Sequence, residues 1–78
     1  MSIAMFFYKR GDKKCRKAMV QLEWYQDVIV QYIDVYDTKS LELVNEWNVC
    51  CVPTLIFLPS GNRYVGEQIK RKNFEKDI

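Results

Sequence analysis

Asn45-Glu46-Trp47-Asn48-Val49-Cys50-Cys51-Val52-Pro53-Thr54 is the most informative stretch of this chain. Leu41, Val44 and Trp47 lie on one helical face just before its loop, so a helix is expected to run into it. Asn48 follows where helices commonly end in a left-handed residue, a conformation that Asn tolerates better than most. Pro53 lacks an amide hydrogen and fixes its own φ, which excludes both helix and a normal ladder at that point. Thr54 to Leu58 then reads as a strand, Pro59-Ser60-Gly61-Asn62 as a turn, and Arg63 to Val65 as a short strand that closes a hairpin.

Upstream, Ile3 to Tyr8 is an unbroken apolar and aromatic run of strand length, expected to be a central strand buried on both faces. Lys9, Arg10 and Gly11 end it. From Asp12 the apolar positions become Cys15, Ala18, Met19, Leu22 and Tyr25, the spacing of an amphipathic helix that reaches about Gln26, with Asp12 as its N-cap. Val28 to Val35 is rich in β-branched and aromatic residues and forms a second strand, and Asp37-Thr38-Lys39-Ser40 supplies turn and capping groups. Downstream, the polar tail from Gln68 to Ile78 is read as a short last helix docking Ile69, Phe74 and Ile78. The order is βαβ, helix, hairpin, helix. A βαβ crossover makes its two strands parallel, so the architecture is α/β.

Composition sets the outer limits. The chain has 78 residues, 49% of them hydrophobic and 14% aromatic, enough apolar surface for one core and too little length for a second domain. Charged or turn residues interrupt every apolar run before it reaches bilayer length, so no membrane span is expected. The positive charges at the start follow the apolar stretch, the wrong order for a secretory signal, and the cytoplasm is the expected compartment. Three cysteines, Cys15, Cys50 and Cys51, are not the even framework of a secreted scaffold. With no histidine and no Cys-x-x-Cys pair, four ordinary zinc ligands cannot be assembled without carboxylates, so neither a metal nor another cofactor is expected.

With a strand, Asp12-Lys13-Lys14-Cys15, a helix, Tyr32-Ile33-Asp34-Val35, a helix, and Val52-Pro53-Thr54-Leu55-Ile56-Phe57 before the Gly61 turn, the chain resembles the thioredoxin family. The resemblance runs from about Ile3 to Ile78 and lacks only the family's first strand and helix. It implies a minimal thioredoxin-like fold over residues 1–78, βαβ-α-ββ-α, with a mixed four-stranded sheet flanked by helices. It also implies a cis Val52-Pro53 bond facing the active-site turn. In that family two cysteines flank two residues at the helix start, the first attacking a disulfide and the second resolving the intermediate. Here Asp12 takes the attacking position and Cys15 the resolving one. A carboxylate cannot exchange a disulfide, so the two-thiol cycle is missing from this turn. Phe6 and Tyr32 stand where the family carries a buried acid and a lysine. Monothiol glutaredoxin-like enzymes keep the first cysteine and lose the second, the reverse of this chain.

The candidate chemistry is therefore Cys15, Asp12 and Cys51, and the candidate substrate contacts are Val52, Pro53, Lys13 and Lys14. Each has a plainer structural alternative. Asp12 is a helix cap for the amides of Lys14 and Cys15. Cys15 falls on the apolar face as a small core residue, while a Cys15–Cys51 pairing needs Cα atoms within about 7 Å. Cys50 and Cys51 bond to each other only in a strained ring. Lys9, Arg10, Lys13, Lys14, Arg16 and Lys17 crowd cations at a helix N-terminus, the unfavourable end. Either they form a solvated face, or they hold an acidic protein or peptide partner; no aromatic-interleaved motif points to nucleic acid. Two functions remain open: a thioredoxin relative with weak or lost disulfide exchange, and a non-catalytic binding module for an acidic partner.

Overall fold

The computed structural model describes residues 2–78. Strand β1 (Ser2–Tyr8) leads through a turn into helix α1 (Lys13–Glu23), which returns to strand β2 (Val28–Asp34). A single 3-10 turn at Thr38–Ser40 runs into helix α2 (Leu41–Glu46), and strands β3 (Thr54–Leu58) and β4 (Arg63–Val65) form the hairpin. Helix α3 (Arg71–Phe74) lies between 3-10 turns at Gly66–Gln68 and Glu75–Asp77. The sheet order is β2-β1-β3-β4, with β1 parallel to β2 and antiparallel to β3, and β3 antiparallel to β4. This is a mixed four-stranded sheet in an α/β fold.

Strand alternation divides the interior into two layers. Ala4, Phe6, Leu55 and Phe57 face α1 and α3, where Ala18, Leu22, Ile69 and Phe74 complete the larger core. Met5, Phe7, Ile33 and Ile56 face the other way, against Leu43, Val44 and Trp47 of the α2 segment. β1 is thus buried on both faces from Ala4 to Phe7, but Ile3 is 49% exposed, so the double burial stops short of the strand's first expected residue.

Some boundaries differ from the sequence-based expectation. α1 ends at Glu23, three residues before Gln26, because the Trp24 and Tyr25 amides turn back to the carbonyls of Gln21 and Leu22. Such tightened closure ends a helix. Trp24 is left exposed, while the Tyr25 ring meets Phe74 edge-on with centroids 5.8 Å apart. β2 closes at Asp34 instead of Val35. On α2, Leu43 packs inward and Leu41 is exposed, so the buried face is Leu43, Val44 and Trp47 instead of Leu41, Val44 and Trp47. Ile78 is only partly covered, leaving Ile69 and Phe74 to anchor the tail. Asn48 takes φ 51°, the left-handed conformation read from the sequence.

The C-terminal segment is tied back by Asp77. Its carboxylate accepts hydrogen bonds from the Tyr64 hydroxyl, from Asn62 Nδ2 at 2.8 Å and from Ser60 Oγ at 3.4 Å, while Ser2 Oγ donates to its carbonyl at 3.0 Å. The hairpin turn, the tail and the start of β1 are joined at one end of the sheet. The opposite end is left for the two loops described next.

Candidate functional site

Antiparallel pairing sets Phe7 of β1 opposite Thr54 of β3. The residues that follow Phe7 and those that precede Thr54 therefore leave the sheet at the same end, on neighbouring strands. That register alone brings the Lys9–Cys15 turn and the Cys50–Pro53 loop together.

The first of these begins as a tight turn in which the Asp12 amide donates to the Lys9 carbonyl at 3.2 Å. Gly11 occupies its third position with φ 86°, a conformation that a residue with a Cβ enters only at a cost. Asp12 is extended, and its Oδ2 accepts the Cys15 amide hydrogen at 3.0 Å, starting α1. Of the two amides expected to reach this carboxylate, Cys15 does so and Lys14 does not. The Cys15 amide, followed by the Cys15 thiol and the charges of Lys9 and Lys14, keeps the Asp12 carboxyl below its usual range against a smaller effect of burial. It is an anion at neutral pH.

Cys15 is 1% exposed and packs on the inner side of α1 with Ala18 and Leu22. Its sulfur accepts the Lys9 amide hydrogen at 3.4 Å. Burial pushes this thiol up from its ordinary value, the neighbouring Asp12 carboxylate adds to the rise, and the Lys9 amide only partly opposes it. At neutral pH the group is a protonated thiol, not a thiolate nucleophile. On the sheet behind it, Phe6 is fully buried and Tyr32 meets it edge-on with ring centroids 5.8 Å apart. Neither side chain can serve as an ionisable relay to Cys15 at neutral pH.

The second loop is held from several sides. Arg63 donates to the carbonyls of Trp47 and Asn48, Val49 donates its amide to Val44, and Thr54 Oγ1 donates to the Cys51 carbonyl at 2.7 Å. Pro53 is buried after a cis Val52–Pro53 bond, and its carbonyl accepts the Gly66 amide at 2.9 Å. Val52 is half-buried, and its own amide and carbonyl take no partner among the described residues. Cys51 does not join Cys15. All three cysteines are free, and the Cys51 sulfur lies 3.8 Å from that of Cys50, both exposed. The Cys50 thiol, by hydrogen bonding and then by charge, raises the Cys51 thiol above its ordinary value.

Two crevices flank the start of α1. One, of about 500 Å³, is lined by Tyr8, Lys9, Gly11, Asp12, Cys15 and Met19 among others. The other, of about 330 Å³, lies between α1 and the Gly66–Lys70 segment, with Lys14, Lys17 and Lys70 among its lining residues. Among the described residues the one ion pair is Arg71–Asp27 at 2.7 Å, so none of the six cations from Lys9 to Lys17 is paired. Sequence reasoning left Cys50 and Lys70 outside the site. The cysteine doublet itself was the available signal for Cys50, whereas Lys70 reaches α1 only through the folding of the tail.

No family model matches the sequence, and no curated protein matches it. Solved structures do. Oxidised thioredoxin O2 from Arabidopsis thaliana superposes with a TM-score of 0.73 at 24% identity, over 97% of this chain and 74% of that one. The fold is thioredoxin-like. Thioredoxin O1 from the same plant, also oxidised, gives a TM-score of 0.73 at 26% identity over 97% of this chain and 77% of its own. Oxidised mitochondrial thioredoxin 3 from Saccharomyces cerevisiae gives 0.68 at 22% identity, over 96% and 74%. Among the described residues, no helix is long and apolar enough to cross a membrane.

Proposed function

We propose that this chain is a thioredoxin-like protein, related to thiol-disulfide oxidoreductases, whose Asp12–Cys15 turn has lost efficient disulfide exchange. The observation that carries this reading is the state of the turn. Its first position holds an ionised carboxylate bonded to the Cys15 amide at 3.0 Å, and its last holds a thiol that is 1% exposed. Disulfide exchange begins with a thiolate that can reach a sulfur atom, and neither residue supplies one. What remains at this end of the sheet is a place for an extended segment: the free amide and carbonyl of Val52 beside Pro53, at the register position where β1 enters the turn. Backbone groups of this kind hold a peptide strand by main-chain hydrogen bonds.

A second reading, a binding module for an acidic protein partner, is favoured by the six unpaired cations between Lys9 and Lys17. Concentrated positive charge steers an acidic partner and is screened by salt. The two readings part in one pair of measurements on the native protein: insulin reduction in the presence of dithiothreitol, and binding of an acidic peptide at low and at raised salt. Insulin reduction no faster than with dithiothreitol alone supports loss of exchange. Fast reduction that disappears in Cys15→Ser overturns it. Peptide binding that weakens steadily with salt supports the second reading, and no binding at low salt removes it.

A further inference from the structure

The exposed doublet Cys50–Cys51 is used by neither function above, and its geometry favours one kind of chemistry over another. A disulfide needs sulfurs about 2.05 Å apart and Cα atoms usually about 4.4–6.8 Å apart, whereas neighbours across a trans peptide have Cα atoms about 3.8 Å apart. The observed sulfur separation is 3.8 Å. Two thiolates on a tetrahedral zinc ion, each bonded at about 2.3 Å, stand about 3.75 Å from one another. The doublet is thus already at the bite of a chelate and far from that of a disulfide. The loop that carries it is fixed on both sides, by the Arg63 bonds to Trp47 and Asn48 and by the Thr54 bond to the Cys51 carbonyl. Little reorganisation is needed for both sulfurs to bind together.

A structural zinc site takes four ligands. Among the described residues no group of three or more His, Cys, Asp and Glu side chains is placed to hold a metal, so one chain supplies only half of such a shell. The missing half has the same chemistry as the half present, and a two-fold axis through the metal provides it from an identical surface. We infer that Cys50 and Cys51 form half of a four-sulfur site for a thiophilic divalent cation of the zinc class, completed by the same two residues of a second copy of this chain. On binding, four S–H bonds give their protons to solvent, four metal–sulfur bonds form and no electron is transferred, leaving a centre of net charge 2−. Arg63, which holds this loop through the carbonyls of Trp47 and Asn48, and the unpaired cations of the turn at the sheet end where the loop meets β3 carry the opposite charge. They offset the repulsion that a tetrathiolate centre would otherwise meet, and the centre in turn offsets the repulsion between two basic turns.

The test uses the full chain, reduced with a phosphine and free of competing thiols, with Zn2+ and Co2+ alone as probes. Native mass spectrometry with Zn2+ is expected to show two chains per metal ion, and Co2+ a strong sulfur-to-metal charge-transfer absorption. Cys50→Ser and Cys51→Ser are each expected to lose both signals while keeping the native melting temperature, since both side chains are exposed. Cys15→Ala is expected to keep both signals. One metal per single chain, metal held equally well by Cys50→Ser, or no metal retained by the native protein each overturns the inference. None of these outcomes bears on insulin reduction, so the site stands or falls separately from the proposed function.

Discussion

Asp12 Oδ2 and the backbone amide of Cys15 are joined by a 3.0 Å hydrogen bond that closes the first turn of α1. The carboxylate at the mouth of the turn is therefore a structural group, and its removal is expected to be felt in stability. Asp12→Ala should melt lower than the native protein at neutral pH, while Asp12→Asn, which still offers a side-chain oxygen, should stay close to native. The pH dependence has a definite sign. The folded-state pKa of Asp12 lies below its ordinary 3.8, chiefly through the Cys15 amide, so this stabilisation is complete above that value and is lost as pH falls through the lower folded one. The melting difference between native protein and Asp12→Ala should shrink in acid, and a difference that stayed constant down to the lowest pH would exclude the charged cap.

At the other end of the sheet, burial and then the bond to Asp77 push Tyr64 from 10.0 up to about 12. A raised phenol pKa contributes stability that is present in full below pH 10 and is lost as pH rises toward 12. Tyr32, raised by burial and by Glu23, contributes in the same direction. Tyr64→Phe is expected to flatten the alkaline decline in melting temperature without abolishing it. An identical decline in the variant would mean that Tyr64 ionises as freely as in the unfolded chain.

Phe74 is fully buried, with its ring against Phe57 at 5.3 Å and Tyr64 at 6.0 Å between centroids. It is the main apolar anchor of a helix only four residues long. Phe74→Ala should cost about 3–5 kcal/mol in urea unfolding, a large share of the about 5–15 kcal/mol that holds a whole domain. Phe74→Leu should cost distinctly less. A loss for Phe74→Ala below about 1 kcal/mol would show that the tail is not part of the cooperative unit.

These cases show which features were legible in the sequence. The Asp12 cap, the left-handed Asn48 and the 54–65 hairpin depend on residues within a few positions of one another, and each has a local physical cause. The end of α1 was misplaced because Tyr25 leaves the helical pattern to meet Phe74, a residue far along the chain. Leu43 packs inward where Leu41 was expected, in a helix of only six residues entered through a 3-10 turn, too short for spacing alone to fix its inner face. In the site, the nearness of the two loops follows from the pairing of Phe7 with Thr54, and it was expected only from the family resemblance. The placing of the Cys51 sulfur beside Cys50 instead of with Cys15 rests on side-chain directions that no periodicity encodes.

The basic turn gives a prediction in which stability and binding move in opposite directions. The first turn of α1 contains no acidic residue, and Lys13 and Lys14 stand at its positive end. Lys13→Glu and Lys14→Glu should each add about 0.3–1 kcal/mol by reversing an unfavourable charge on the helix dipole. Lys17→Glu, a turn further on, should add less. If the cations hold an acidic partner, the combined variant will bind an acidic peptide more weakly at low salt, and the gap between variant and native protein will close as salt is raised. A combined variant that binds as well as the native protein at low salt would assign these residues to a solvated surface.

The sharpest test of the proposed loss of exchange is to place a thiol at residue 12. Asp12→Cys places a second sulfur at the start of α1, beside Lys13 and Lys14, where the helix dipole and the two cations favour a thiolate. Cys15 then lies three residues on, in position to resolve the mixed disulfide and release a reduced product. The insulin reduction rate should rise above that of the native protein, with a 12–15 disulfide appearing under oxidising conditions. The gain should remain well short of an efficient enzyme, because Phe6 and Tyr32 give the buried Cys15 no ionisable neighbour to take its proton and Burial holds its thiol up. Loss of the Asp12 cap lowers stability at the same time, so rates belong at a temperature where melting curves show the variant folded. In the Asp12→Cys background, Cys15→Ser should stop the reaction at a mixed disulfide that can be trapped and mapped to residue 12. Cys51→Ser should leave the rate unchanged, since the Cys51 sulfur lies against Cys50 and not at the turn. If oxidised Asp12→Cys forms no 12–15 disulfide although it is folded, residue 12 does not occupy the position of an attacking thiol. The redox ancestry proposed for the turn would then have to be given up, while the thioredoxin-like fold around it would stand.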